Sequence, residues 1–293
     1  MIFLKEYEAY YSMIDGIKEI YADHYGIVDI RLIERVFNDV IDLFNGKMEG
    51  FQVCDVKYHD LSHTVQTIPP FIEIIDGWNK ANHSFKISKD SFDLGIIAVL
   101  LHDTGYIKAA DDYEGTGAKY TFVHIQRSVA FAGSYLSRIG LQKHQIVSVQ
   151  NAIRCTGVKV NLDDVQFTSE EERIVGYALG TADLLGQMSA PDYVEKLPIL
   201  YREYKEAYNF FGMERLKSMG VFIFDSEEQL IKNTPAFFEN VVLPCFEGMG
   251  SVFNYLTYHY NTSEIPYLCK IQKNLDKIKT LCIPQLRNRP SPS

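Results

Sequence analysis

The sequence predicts an all-α fold, and three observations carry that prediction. Apolar residues recur at helical spacing along most of the chain, helix-start signals punctuate it, and strand signals are scarce. With 46% hydrophobic residues, among them 18 Phe and 19 Tyr, the 293-residue chain has ample material for a core. No internal repeat or linker divides it. Residues 1–283 therefore read as one helical domain, and 284–293, with its Pro, Arg, Asn and Ser, as a flexible tail.

Phe3, Tyr7, Tyr10, Ile14, Ile17 and Tyr21 mark a first amphipathic helix, and Ile33, Val36, Phe37, Val40, Ile41 and Phe44 a second that stops before Gly46. Such aromatic stripes are core, or the face of a homodimer. His24, in Asp23-His24-Tyr25-Gly26, reads as an exposed loop residue. In Tyr58-His59-Asp60-Leu61-Ser62-His63-Thr64 two histidines stand four apart and share a face if the segment is helical. Pro69-Pro70 and Asp76-Gly77 predict that this helix is short or kinked near its end. His83 falls in a polar loop, Asn79 to Lys89, and receives no role.

The run Gly95 to Leu101 leaves no polar face over two turns, so it reads as a helix buried on all sides. Asp90 and Asp93 suit its start, and Gly105 suits a left-handed position just past its last turn. His102 and Asp103 then sit at the inner end of a core helix, where burial without partners costs several kcal/mol. A metal ion would satisfy them, and so would a hydrogen-bonded core pair.

The Asp- and Gly-rich stretch from Lys108 to Tyr120 leaves directly from that end of the helix. It reads as a rim loop, or a plain surface loop, with Glu114 and Lys119 as candidate substrate contacts. Phe122, Ile125, Val129, Ala132, Leu136 and Ile139 mark the next helix, with His124, Ser128, Phe131 and Tyr135 in a line beside that stripe. Arg127, one turn from His124, can reach a phosphate oxygen with its planar fork, although a solvated helix face is the ordinary role of such a residue.

Thr168 and Ser169 ahead of Glu170, Glu171 and Glu172 announce a helix on which Gly176, Gly180 and Asp183 share a face. The glycines admit a neighbouring helix, so Asp183 points inward and needs a cation or a donor. Val194, Leu197, Tyr201, Tyr204, Tyr208 and Phe211 continue the helical pattern, with a break or kink expected at Pro198. Ser226, then Thr234 before Pro235, announce two further starts, and Ser263 opens a last helix with Ile271, Leu275, Ile278 and Cys282 inward. His259 reads as a partly buried helix residue.

A net charge of −9 without a Lys/Arg cluster argues against general nucleic-acid binding. The five cysteines, at 54, 155, 245, 269 and 282, are odd in number and lack a Cys-x-x-Cys pair, as expected of reduced thiols in a cytoplasmic protein. The N-terminus lacks the order of a signal peptide, and the longest apolar run falls short of the ~18 residues that span a bilayer, so no membrane association is expected.

The order of these pieces, paired histidines, then His-Asp, then a distant Asp, resembles the HD superfamily of metal-dependent phosphohydrolases. The tyrosine-plus-paired-histidine start is similar to its cyclic-nucleotide phosphodiesterase branch. The resemblance spans about 58–187 and implies an HD-type helical bundle with added N- and C-terminal helices. It implies His63, His102, Asp103 and Asp183 as ligands of one divalent ion, with His59 as the acid that protonates the leaving group. Family members with two metals carry extra histidines in the interval that holds His124, which makes His124 the candidate ligand of a second ion. His144 and Cys155 add little, and one metal is better supported than two.

Two imidazoles and two carboxylates suit Mn, Mg, Fe(II), Ni or Zn. Such an ion would activate water for attack on a small anionic phosphoester, a nucleotide being one candidate, with Asp103 orienting that water or taking its proton. Two other readings stay open: a helical sensor or nucleotide- and metal-binding module without turnover, and a di-iron HD oxygenase.

Overall fold

The computed structural model describes residues 2–26, 29–81, 83–157 and 160–286, with side chains described from 14 to 281 within those ranges. Phe3, Tyr7, Tyr10 and Cys282 lie outside the described side chains, and the tail beyond 286 lies outside the described residues. The fold is all-α. Among the described residues the nearest approach to a sheet is one isolated antiparallel bridge, Phe51 with Ala109. No helix among them is long and apolar enough to cross a membrane.

The helices are α1 (Ile2–Tyr25), α2 (Arg31–Phe44), α3 (Leu61–Lys80), α4 (Lys89–Leu101), α5 (His124–Arg138), α6 (Lys143–Arg154), α7 (Glu170–Ser189), α8 (Tyr193–Phe211), α9 (Met213–Ser218), α10 (Glu227–Phe237), α11 (Leu243–Gly248), α12 (Leu256–Tyr260) and α13 (Pro266–Leu286). α3 and α7 pack most extensively against each other, with α4 lying across both. Gly186 of α7 lets that approach happen, because a Cβ there would stand 2.7 Å from the Gln66 carbonyl of α3. α1 and α12 cover α3, α6 packs on α4 and α7, and α13 lies against α7.

α3 starts where Asp60 caps it, its carboxylate accepting the His63 N–H at 3.0 Å. It then continues through Pro69, Pro70, Asp76 and Gly77 as one 20-residue helix, so it is not the short helix that was one of the two expectations. Two interior prolines cost roughly 3 kcal/mol each. Ile68, Phe71, Ile72, Ile74 and Ile75 are buried on the same helix, and at ~1.5–3 kcal/mol apiece their burial outweighs that loss. Pro198 likewise lies inside α8 without breaking it, and Pro235 lies inside α10. Thr234 does not start a helix there; its hydroxyl donates to the Leu230 carbonyl at 3.0 Å, and the chain passes into a π-turn over Phe238–Val242. α13 begins at Pro266, three residues later than Ser263 suggests, with proline at the position where its missing N–H is harmless.

Three local expectations are corrected. Ser88 caps α4 and Asp90 lies in its first turn as expected, whereas Asp93 instead pairs with Tyr21 and Lys89. His24 is in the last turn of α1 with a side chain only 7% exposed, held by Asp76 at 2.7 Å; Asp76 also binds His259 at 2.6 Å. Gly105 is not left-handed: it lies in a 3-10 turn, Thr104–Tyr106, where a Cβ would overlap the His124 carbonyl. Gly105→Ala is therefore expected to destabilise the fold by ~1–3 kcal/mol, read as a lowered urea midpoint.

The caps of α7 and α10 match expectation. Ser169 Oγ accepts the Glu172 N–H at 3.1 Å, and Glu172 in return accepts the Thr168 N–H and hydroxyl at 2.7 and 2.6 Å. Ser226 Oγ accepts the Gln229 N–H at 3.1 Å. On α5 the two lines are buried alike: Ala132 and Leu136 of the main stripe and Ser128 and Tyr135 of the second line lie inside, while Ile125, Val129, His124 and Phe131 are half-buried.

Candidate metal centre

His63 projects from the first turn of α3, His102 and Asp103 follow the last turn of α4, and Asp183 lies two-thirds along α7. The packing of these three helices brings the four side chains together. His63 Nε2 is 3.1 Å from Asp183 Oδ1 and 3.3 Å from Asp103 Oδ2, and His102 Nε2 is 3.4 Å from Asp103 Oδ2 and 3.8 Å from Asp183 Oδ1. His63, His102 and Asp103 are all buried, with one potential ligand atom from each lying within 4.8 Å of the others.

His102 Nδ1 lies 2.7 Å from the Val99 carbonyl. A carbonyl only accepts, so Nδ1 carries a proton, and the neutral form of the ring has its lone pair on Nε2. His102 Nε2 and Asp103 Oδ2 are both buried without a hydrogen-bond partner. Two orphaned electron-pair donors side by side are costly in a dry interior. A cation between them removes that cost. Ligand bonds of ~2.1 Å place neighbouring donors about 3.0 Å apart in an octahedral site and about 3.4 Å apart in a tetrahedral one. The separations here fall on that scale, so the cluster is compatible with a divalent ion.

His124 begins α5. Its Nδ1 donates to the Thr121 carbonyl at 2.6 Å, leaving Nε2 3.7 Å from Asp103 Oδ1. His59 stands on the same side, its ring 5.6 Å from that of His63 and 6.2 Å from that of His124. The His59, His124 and Asp183 side chains are 14, 18 and 11% exposed, against 4% or less for His63, His102 and Asp103, so solvent reaches the cluster from the His59 side.

Two partners of the site were not legible in the sequence. Glu203 of α8 is buried; its Oε2 lies 2.8 Å from His59 Nδ1, while Oε1 accepts the backbone N–H groups of Lys57 and Tyr58 at 2.8 and 2.7 Å. A lone carboxylate between Tyr201 and Tyr204, four residues before the small Ala207, was the available signal. Tyr58 donates its hydroxyl to Gln187 at 3.0 Å, and the Gln187 amide in turn faces Asp183.

The proposed substrate contacts fare differently. Glu114 is exposed on the rim. Lys119 is buried and bound to Asp112 at 2.5 Å and to the Glu114 carbonyl at 2.6 Å, so its charge is already neutralised within the loop. Arg127 donates to the carbonyls of Gly105 and Ile107 at 2.6 and 2.9 Å and lies over the Tyr120 ring, so its fork is committed to backbone. Cys155 packs against Gly176 and Gly180, upstream of Asp183, and His144 is exposed on α6.

Burial pushes the His63 imidazole down, but the facing carboxylates of Asp103 and Asp183 more than offset it and raise it to about 10. Burial would raise Asp103 and Asp183, and the His102 and His63 imidazoles reverse that, holding both below the usual carboxylate range. Burial lowers His124, against the Asp103 charge, which keeps that ring a neutral donor. The His63 proton stabilises the metal-free fold fully below its unfolded value of ~6.5, and that contribution is lost as pH rises through about 10. The carboxylates act oppositely: their contribution is present above ~4 and lost as pH falls. A metal ion competes with the His63 proton, so metal affinity should rise about tenfold per pH unit between pH ~7 and ~9. Titration with manganese at three pH values checks this, and a flat profile would remove the proton from His63.

The family model described as Npun_R2479-like matches residues 9–265. No curated protein matches the chain.

Proposed function

We propose that this chain, which belongs to the Npun_R2479-like family, is a metal-dependent phosphohydrolase of HD type acting on a small phosphoester. One observation carries the reading: two orphaned buried donors, His102 Nε2 and Asp103 Oδ2, converge with His63 and Asp183 beside an anchored His59–Glu203 pair. A divalent ion held by His63, His102, Asp103 and Asp183 would lower the pKa of water and neutralise charge on a phosphoryl oxygen.

The chain's own residues supply the proton transfers. Glu203 holds His59 by Nδ1, so Nε2 is the nitrogen left to give a proton to the departing ester oxygen as the P–O bond breaks. Asp103 Oδ1, on the His124 side of the cluster, is placed to take a hydrogen bond from the attacking water. Tyr58 and Gln187 back Asp183 and keep its carboxylate turned to His63.

The second reading, a binding module without turnover, draws support from the near-complete burial of the ligands, which would also suit a retained structural ion. The His59–Glu203 pair speaks for turnover, because an ion kept only for folding needs no anchored acid. The test is elemental analysis of protein purified without chelator, paired with hydrolysis of alkyl phosphodiesters and phosphomonoesters in added manganese. Metal with hydrolysis supports the proposal; metal without hydrolysis favours the binding module; no metal under any loading condition overturns both.

A further inference from the structure

The ring of Tyr106 lies 4.4 Å from that of His59 and 4.6 Å from that of His124, with interplanar angles of 11° and 21°. The two histidine rings are 6.2 Å apart. Rings stacked on opposite faces of a tyrosine would be separated by two van der Waals spacings, about 7 Å or more. The shorter separation puts both imidazoles on the same face of Tyr106, side by side over its opposite edges. We propose that Tyr106 is a positioning residue, a flat floor that sets the planes of His59 and His124 together.

The floor is itself held firmly. Tyr106 closes the 3-10 turn directly after Asp103 and is 1% exposed. Arg127 brackets it by donating to the carbonyls on either side, Gly105 and Ile107. Ser128 Oγ accepts the Gly105 N–H at 2.8 Å, and Gly117 leaves room for the Tyr106 carbonyl. Each imidazole has one hydrogen-bonded anchor at Nδ1, from Glu203 or from Thr121. One anchor leaves a ring free to rotate about the line through it. A flat aromatic surface against the ring removes that rotation, so anchor and floor together determine where each Nε2 lies.

The catalytic part of the test rests on the proposed hydrolysis; the spectroscopic part does not. In Tyr106→Leu, kcat on an alkyl phosphoester should fall by about 30- to 100-fold, the scale of a ~1 Å misplacement, with KM and metal content little changed. Tyr106→Phe keeps the ring and should stay within about threefold of the parent. Independently, the carbon-bound ring protons of His59 and His124, assigned by comparison with His59→Gln and His124→Gln, should be displaced upfield by the Tyr106 ring current in metal-free or zinc-loaded protein. They should move downfield in Tyr106→Leu and stay in place in Tyr106→Phe.

Histidine protons that do not move in Tyr106→Leu overturn the floor whatever the activity. Displaced protons in a protein that hydrolyses no phosphoester leave the floor standing and remove the proposed function. If Tyr106→Leu does not fold, the parent spectrum decides, because unshifted His59 and His124 protons contradict the geometry directly.

Discussion

His59→Ala should retain its metal and lose ~10²–10⁴-fold in kcat on alkyl phosphoesters, the range a positioned general acid supplies. The loss should shrink to under about tenfold on nitrophenyl esters, whose leaving group departs without a proton. That contrast separates an acid from a residue that merely shapes the site. Glu203→Gln should reproduce much of the loss. The Lys57 and Tyr58 N–H groups both require an oxygen at Oε1, so the new amide must turn its NH₂ towards His59 Nδ1. An amide donor there opposes the protonated imidazole, as a carboxylate does not. Release of the ion from His59→Ala would instead make His59 a ligand and end its role as the acid.

Asp183→Ala should abolish stoichiometric metal binding, because it leaves three ligands and takes from His63 its nearest carboxylate, at 3.1 Å. The clearest measurement is thermal. Metal at about a thousand times its Kd should stabilise the parent by ~4 kcal/mol and leave Asp183→Ala unmoved. A metal-dependent rise of equal size in the variant would place the ion elsewhere. His102→Ala should behave likewise, whereas His124→Ala should change the metal content only if a second ion is held.

The clustering of these side chains was readable in the sequence because their chemistry is conspicuous: His102 and Asp103 end an apolar run that offers them no solvent, and Asp183 follows two glycines on an inward face. Glu203 and Tyr106 were not, since a glutamate in a tyrosine-rich helix and a tyrosine after a turn have ordinary local meanings. Their roles depend on segments far away in the chain. The same limit explains His24, whose neighbours suggest a loop but whose partner is Asp76, and Pro69-Pro70, where a local breaking rule yields to the buried face of α3. Arg127 shows the converse: its guanidinium could be foreseen as a donor, but backbone carbonyls, not phosphate, are what it meets.

The four converging side chains come from α3, the end of α4 and α7, and His59 owes its orientation to α8. No short peptide of this protein contains the cluster. It follows that the centre is assembled late: α7 must dock on α3 before Asp183 meets His63, and loop closure over that span is slow relative to local helix formation. On the proposed metal-binding reading, an ion would therefore enter a chain that has already folded, through the side where His59 and His124 retain contact with water. On that same reading, protein made without metal would be a folded, empty reserve that can be charged later without resynthesis.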